Sequence, residues 1–186
     1  MKKIDIKKLT SDDVKKELNR VKYNNKFNSV LRSTIYILII LAAIGALVAT
    51  FITPVLQINT NSMSPKYKEG DIVLAIKTKR IRNGDVIAFY HGNKIIISRV
   101  IGVSSDWIKI DEEGIVSVNG KVLKENYAKN IDTVLDDIKY PYQVGASSYF
   151  VLNDDRSNTN DSRNKDIGVV NYNDLIGKII FKVWSK

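Results

Sequence analysis

Apolar residues are distributed in two different ways along this chain. From Ile35 to Leu56 they form one nearly continuous run, IYILIILAAIGALVATFITPVL, and no charged side chain lies between Ser33 and Pro65. About 21 helical residues, rising roughly 1.5 Å each, cross a hydrocarbon core of about 30 Å. The run therefore predicts a single transmembrane helix, which we assign to residues 34–56.

Two other interpretations fit this run less well. A cleavable secretory signal has an apolar core of about 7–15 residues behind a short basic region, whereas here the tail before the run exceeds thirty residues. A buried helix of a soluble protein is the second alternative, but Arg32 and Pro54 at the two ends are more typical of membrane boundaries.

Positive charge is concentrated before the apolar run. Residues 1–33 carry ten Lys and Arg against four Asp and Glu, a net charge of +6 out of +9 for the chain. Ser11 is suited to begin a short helix in this tail, with Val14, Leu18 and Val21 at helical spacing. Because basic flanks tend to stay in the cytoplasm, we expect a cell-membrane protein with a cytoplasmic N-terminus and an extracytoplasmic domain. The small charge left for that domain argues against nucleic-acid binding.

After residue 70 the apolar residues come in short runs that predict β-strands. The turn signals HGN at 91–93 and Asn119–Gly120 separate neighbouring runs, as in hairpins. No alternation of strands and helices appears, so we predict a compact, mostly antiparallel β domain over residues 57–186, with residues 124–148 irregular. The predicted strands are Asp71–Lys77, Asp85–Tyr90, Lys94–Gly102, Trp107–Asp111, Ile115–Val118, Lys121–Leu123, Tyr149–Leu152 and Leu175–Trp184.

The composition excludes several kinds of site. There is no cysteine, so disulfides and thiolate metal ligands are excluded, and a zinc cluster or a Ser-His triad would depend on His91, the one histidine. No glycine-rich loop of the kind that cradles phosphate occurs. We expect neither a metal nor a cofactor.

Candidate chemistry begins just after the apolar run, where the stretch NTNSMSP places Ser62 in an S-M-x-P motif. Four further segments follow in order: Gly70–Val73 (GDIV), Gly84–Phe89 (GDVIAF), Arg99–Gly102 (RVIG) and Asn153–Arg163 (NDDRSNTNDSR). Behind a membrane anchor, this ordered set resembles the bacterial type I signal peptidases, whose corresponding motifs include KRVIG and GDN(R)…S-x-DSR. The resemblance covers roughly residues 35–183.

The resemblance implies a membrane-anchored serine endopeptidase that removes signal peptides from exported preproteins. Its partners would be those signal peptides and membrane lipid. By the same resemblance Ser62 is the nucleophile, Thr60 supplies a hydroxyl to the oxyanion site, and Thr159 corresponds to the hydroxyl that steadies a lysine base. Asp161 and Arg163 match the supporting pair of the family, although the residues alone indicate only a surface ion pair.

This chain departs from the family at the general base. The family's lysine precedes the arginine of KRVIG, and here Ser98 stands at that place. A serine is not basic enough to take a proton at neutral pH. Lys94 lies four strand residues away, about 13 Å, and His91 lies in the predicted turn, where an exposed histidine is the simpler interpretation.

Two functions therefore remain open at the level of sequence. The first is an active signal peptidase, and the second is a catalytically impaired relative that binds precursors or assists their assembly. Self-cleaving repressor-type peptidases share the Ser/Lys chemistry, but they lack a membrane anchor and also need the lysine.

Overall fold

The computed structural model describes residues 11–130 and 137–185, which form two units, one before and one after residue 50. Residues 1–10 of the predicted basic tail and residues 131–136 of the predicted irregular region lie outside the described part. The unit up to residue 49 is helical, and the unit from residue 50 is built from β-strands.

One helix, α1, extends from Ser11 to Ile52. The predicted tail helix is thus continuous with the apolar helix, because neither proline nor a run of glycine interrupts the sequence between them. The segment Val14–Leu47 of this helix is long and apolar enough to cross a membrane, and none of its residues is buried within the protein. The predicted helix end at residue 56 is wrong: Pro54 disfavours helical backbone before it, and the chain then enters a strand.

Seven strands form the larger sheet, in the order β1-β2-β11-β3-β4-β9-β10. All its pairs are antiparallel, which confirms the predicted fold class. The short strands β1 and β10 were not predicted from the sequence. The bounds are β1 Val55–Gln57, β2 Ile72–Ile76, β3 Val86–His91, β4 Lys94–Gly102, β9 Ser148–Leu152, β10 Val170–Asn171 and β11 Leu175–Trp184.

Four strands form a smaller antiparallel sheet, in the order β7-β6-β5-β8. Positive φ angles at Asn119 and Gly120 make the predicted tight turn between β6 and β7. The short strand β8 lies in the region predicted to be irregular. The bounds are β5 Trp107–Ile110, β6 Val116–Val118, β7 Lys121–Val122 and β8 Tyr142–Gln143.

Strand β4 is the element that matters most for the site. Its first residues pair with β3, and from Arg99 onward it also pairs with β9 on its other side. All residues from Ile97 to Gly102 are buried, because both faces of the sheet are covered by apolar clusters. Two polar residues, Ser98 and Arg99, are thereby placed in the interior, where they need hydrogen-bond partners.

Candidate active site

Ser62 lies in the loop between β1 and β2, next to Met63, whose fully buried side chain anchors the loop in the core. The Ser62 side chain is itself buried, and its Oγ lies 3.0 Å from the Oγ1 of Thr60. The Ser62 carbonyl accepts a hydrogen bond of 2.9 Å from the Asp155 N–H. The structure therefore brings the predicted nucleophile and the predicted oxyanion hydroxyl together.

Ser98 lies in the buried part of β4, and it has a different partner. Its Oγ donates a hydrogen bond of 2.8 Å to Oδ1 of Asn153, and both side chains are fully buried. In residues 11–130 and 137–185 no hydrogen bond joins Ser98 to Ser62. Asn153 follows β9, which pairs with β4 through Arg99 and Leu152, so this pairing places residues 98 and 153 side by side.

Asn153 was not among the site residues predicted from the sequence. In the motif that this loop resembles, the corresponding residue is the glycine of GDN. The only sequence signal at this position was therefore the departure from glycine. Nothing local in the chain indicates that the Asn153 side chain reaches Ser98, which is 55 residues away.

The loop from Asn153 to Arg163 is held by buried charges. Arg163 donates to both carboxylate oxygens of Asp161 at 2.9 and 2.8 Å, so the structure brings the predicted supporting pair together in the interior rather than on the surface. Asp161 also accepts a hydrogen bond from the Asn153 N–H. Arg163 donates to the carbonyl oxygens of Arg156 and Asn158. The pair therefore braces both ends of the loop.

Further buried ion pairs join this loop to other parts of the β unit, and these were not predicted. Arg99 donates to both carboxylate oxygens of Asp154, and its guanidinium lies 4.1 Å from the ring centre of Tyr127. Arg156 bonds Glu125 at 2.5 Å. Burial, followed by the charge of Glu125, raises the pKa of the Tyr127 hydroxyl well above its ordinary value, which keeps it protonated. The sequence shows that these residues are acidic or basic, but it could not show that their side chains are buried.

Two clefts open beside Ser62. The polar cleft, of about 410 Å³, is lined by Asn61, Ser62, Asp155 and residues 157–160, including Thr159. The apolar cleft, of about 360 Å³, is lined by Thr60 and Ser62 on one side and by isoleucines of β4 on the other. Ser62, Asn158 and Asn160 line both clefts.

His91 and Lys94 also line the apolar cleft. The prediction that His91 lies in the turn is wrong. His91 is the last residue of β3, where it pairs with Lys94 at the start of β4. In the described part of the chain neither side chain is hydrogen-bonded to Ser62 or Thr60. The described part of the chain also contains no group of three or more His, Asp or Glu that could hold a metal ion.

Comparison with known proteins agrees with these motifs. A family model described as "Signal peptidase, peptidase S26" matches residues 31–184. The "Inactive signal peptidase IA" of Staphylococcus aureus strain Mu50 is 32% identical over 156 residues, which covers 79% of this chain and 88% of that protein.

Two similar proteins have names without the word inactive. "Signal peptidase I" of Leptolyngbya laminosa is 30% identical over 151 residues, covering 74% of this chain and 71% of that protein. "Signal peptidase I U" of Bacillus subtilis strain 168 is 29% identical over 153 residues, covering 76% of this chain and 80% of that protein.

Proposed function

The chain belongs to the signal peptidase family, peptidase S26, and from this premise we propose that it binds signal peptides of exported preproteins without cleaving them at an enzymatic rate. The observation that carries this proposal is the hydrogen bond from Ser98 to Asn153. At the place where the family resemblance puts a lysine base, the structure has a hydroxyl that already donates to a buried amide.

The chemistry of Ser62 supports the proposal. A serine hydroxyl attacks a peptide carbonyl only when a base takes its proton. The side-chain partner of Ser62 is the Thr60 hydroxyl, which is no more basic than serine itself. In the described residues no lysine or histidine is hydrogen-bonded to Ser62 or Ser98. Removing the base from a serine hydrolase costs several orders of magnitude in rate, although some catalysis remains from the oxyanion site and from substrate binding.

The capacity to bind a peptide does not depend on a base. Residues 94–98 of β4 pair with β3 on one side, whereas β9 pairs only from Arg99 onward. In the described part of the chain, the other edge of Ile95–Ile97 has no strand partner, and it borders the apolar cleft. An extended peptide adds to such an edge through main-chain hydrogen bonds, while its side chains enter the cleft beside it.

An active signal peptidase is the second candidate. The observation that favours it is the retained pair of Ser62 and Thr60 hydroxyls, which both line the apolar cleft. Relatives named signal peptidase I support this candidate, whereas the relative named inactive supports the first.

One experiment separates the two candidates. The full-length protein in detergent is mixed with a fluorescent peptide that carries Ala-x-Ala directly before the cleavage point and continues beyond it. Both binding and cleavage of this peptide are followed. We expect binding that falls at least about tenfold when the two alanines are replaced by large residues, and cleavage that differs little from that of Ser62→Ala. Cleavage that Ser62→Ala abolishes would establish the active enzyme, and equal binding of both peptides would contradict a selective cleft.

The orientation in the membrane is part of the proposal. The net charge of +6 in residues 1–33 supports a cytoplasmic N-terminus and an extracytoplasmic β unit. Protease added to intact cells without their wall should digest the β unit and spare the first thirty residues. Digestion of the N-terminal tail alone would reverse the assignment.

A further inference from the structure

We propose that Asn153 is the positioning residue of the cleft loop, residues 157–160, and that Ser98 holds the Asn153 amide in place by donating a hydrogen bond to its Oδ1. The positioning role is argued from the contacts of these two side chains with each other and with the loop. That the loop serves peptide binding rests on the function proposed above.

The contacts of the Asn153 side chain identify which end of its amide is Nδ2 and which is Oδ1. One end lies 3.0 Å from the carbonyl oxygen of Asn158 and 3.2 Å from that of Asn160. Carbonyl oxygens only accept hydrogen bonds, so this end must be the amino group, Nδ2. The opposite end is then Oδ1, which only accepts, and it lies 2.8 Å from Oγ of Ser98. Ser98 must therefore donate to Asn153.

In this arrangement residue 98 has a role other than that of a general base. The carbonyl oxygens of Asn158 and Asn160 select the orientation of the amide, because a reversed amide would direct Oδ1 at both of them. In that orientation Oδ1 is buried and accepts from Ser98. If the side chain at residue 98 offered no hydrogen-bond donor, Oδ1 would be buried without this partner, and the amide would be held less firmly against the loop.

The cleft loop depends on this amide at one end. The carbonyl of Asn158 also accepts a hydrogen bond from Arg163, so it has a second support. In residues 11–130 and 137–185 the carbonyl of Asn160 accepts a hydrogen bond only from Asn153. Asn158 and Asn160 both line the polar and apolar clefts. Loss of the amide therefore frees the part of the loop that borders Ser62.

The test uses two variants and a matched control in the full-length protein. Ser98→Ala removes the donor to Oδ1 of Asn153, and Asn153→Asp keeps the size of the side chain but turns a carboxylate oxygen toward the two carbonyls. Ser148→Ala is the control: Ser148 is also a buried strand serine that donates to an asparagine Oδ1, that of Asn171, at 3.2 Å, and it lines neither cleft. Backbone hydrogen exchange of residues 157–160, the affinity for the Ala-x-Ala peptide and the thermal midpoint are measured for each.

We expect exchange in the cleft loop to rise at least about tenfold in both variants, as loss of one buried hydrogen bond implies. Peptide affinity should fall by about the same factor, and by more in Asn153→Asp. Ser148→Ala, which also removes a serine donor to an asparagine, should produce neither local effect.

Unchanged loop exchange in both variants would overturn the proposal, as would equal loop exchange in the Ser148→Ala control. If the natural protein binds no peptide at all, the proposed function fails, but the exchange measurement still decides whether Asn153 positions the loop. If a variant does not fold, Ser98→Thr retains the donor and should keep native loop exchange, whereas faster exchange there would also count against the proposal.

Discussion

Ser62 and Ser98 are both buried serines, but the structure gives their hydroxyl groups very different neighbours. Ser62 lies in a loop at the mouth of two clefts, and its hydroxyl meets another hydroxyl, that of Thr60. Ser98 lies in the middle of a buried strand, and its hydroxyl donates to an amide whose other end holds a loop.

The two sides of the site therefore differ in how closely they follow the family pattern. On the Ser62 side the hydroxyls of the motif are retained. On the Ser98 side, two residues differ together from the motif, since Asn153 stands at the place of a glycine and its carboxamide contacts Ser98. The position of the missing base is therefore not empty, because the hydrogen-bonded pair of Ser98 and Asn153 fills it.

The largest expected effect comes from replacing both members of the Ser98–Asn153 pair. In Ser98→Lys alone, Oδ1 of Asn153 would accept a hydrogen bond from the ammonium, which favours the charged form and leaves no base. In Ser98→Lys/Asn153→Ala that acceptor is gone, and burial would lower the pKa of the lysine. We expect peptidase activity at saturating peptide to rise about 10²–10⁴-fold in the double variant and far less in the single one.

Adding Ser62→Ala to the double variant is the control, and it should return the rate to that of the natural protein. A single Ser98→Lys variant as fast as the double one would show that Asn153 is no obstacle. A folded double variant without activity would show that a further defect remains, either on the Ser62 side or in the cleft loop that Asn153 holds.

An intermediate effect is expected from the charge that braces the loop. Asp161→Ala leaves the buried Arg163 guanidinium without its carboxylate and also removes an acceptor of the Asn153 N–H. Loss of one partner of a buried ion pair costs about 3–5 kcal/mol. Ser62→Ala, which removes one hydroxyl contact at the cleft, should cost about 1 kcal/mol. Denaturant unfolding of the two variants measures the difference, and equal values would mean that both sides of the site are braced alike.

The smallest effect concerns Asp155, which connects the two sides because its N–H donates to the Ser62 carbonyl. Burial alone would raise the pKa of its carboxyl, but hydrogen bonds and the nearby lysine charge lower it to about 2. Because the folded pKa lies below the unfolded value of about 3.9, the carboxylate stabilises the fold above about pH 4, and this stabilisation is lost as the pH falls toward 2. The groups responsible are Ser157, Asn130 and Lys129.

Asp155→Asn should lower the thermal midpoint by at most about 4 °C at pH 7, since the ion pair with Lys129 is partly exposed. The difference from the natural protein should narrow as the pH falls from 5 to 2. A difference that is constant with pH would show that the carboxylate is not the stabilising group.

The sequence by itself determined the parts of this protein that depend on local pattern. The continuous apolar run predicted the long helix, and the alternating short runs predicted most strands, including the tight turn at Asn119–Gly120. The motif RVIG fixed the register that places Ser98 at the position of the base. Such features are legible because helix and strand periodicity and turn chemistry involve residues that are close in the chain.

Only the tertiary structure decided what surrounds these residues. The strand at Val55–Gln57 exists because β2 pairs with it, and the ion pair of Asp161 and Arg163 is interior because the loop folds over the sheet. The meeting of Ser98 with Asn153 depends on the pairing of β4 with β9. A contact between residues so far apart in the chain leaves no local pattern, so the sequence could show that a base was missing but not what had taken its place.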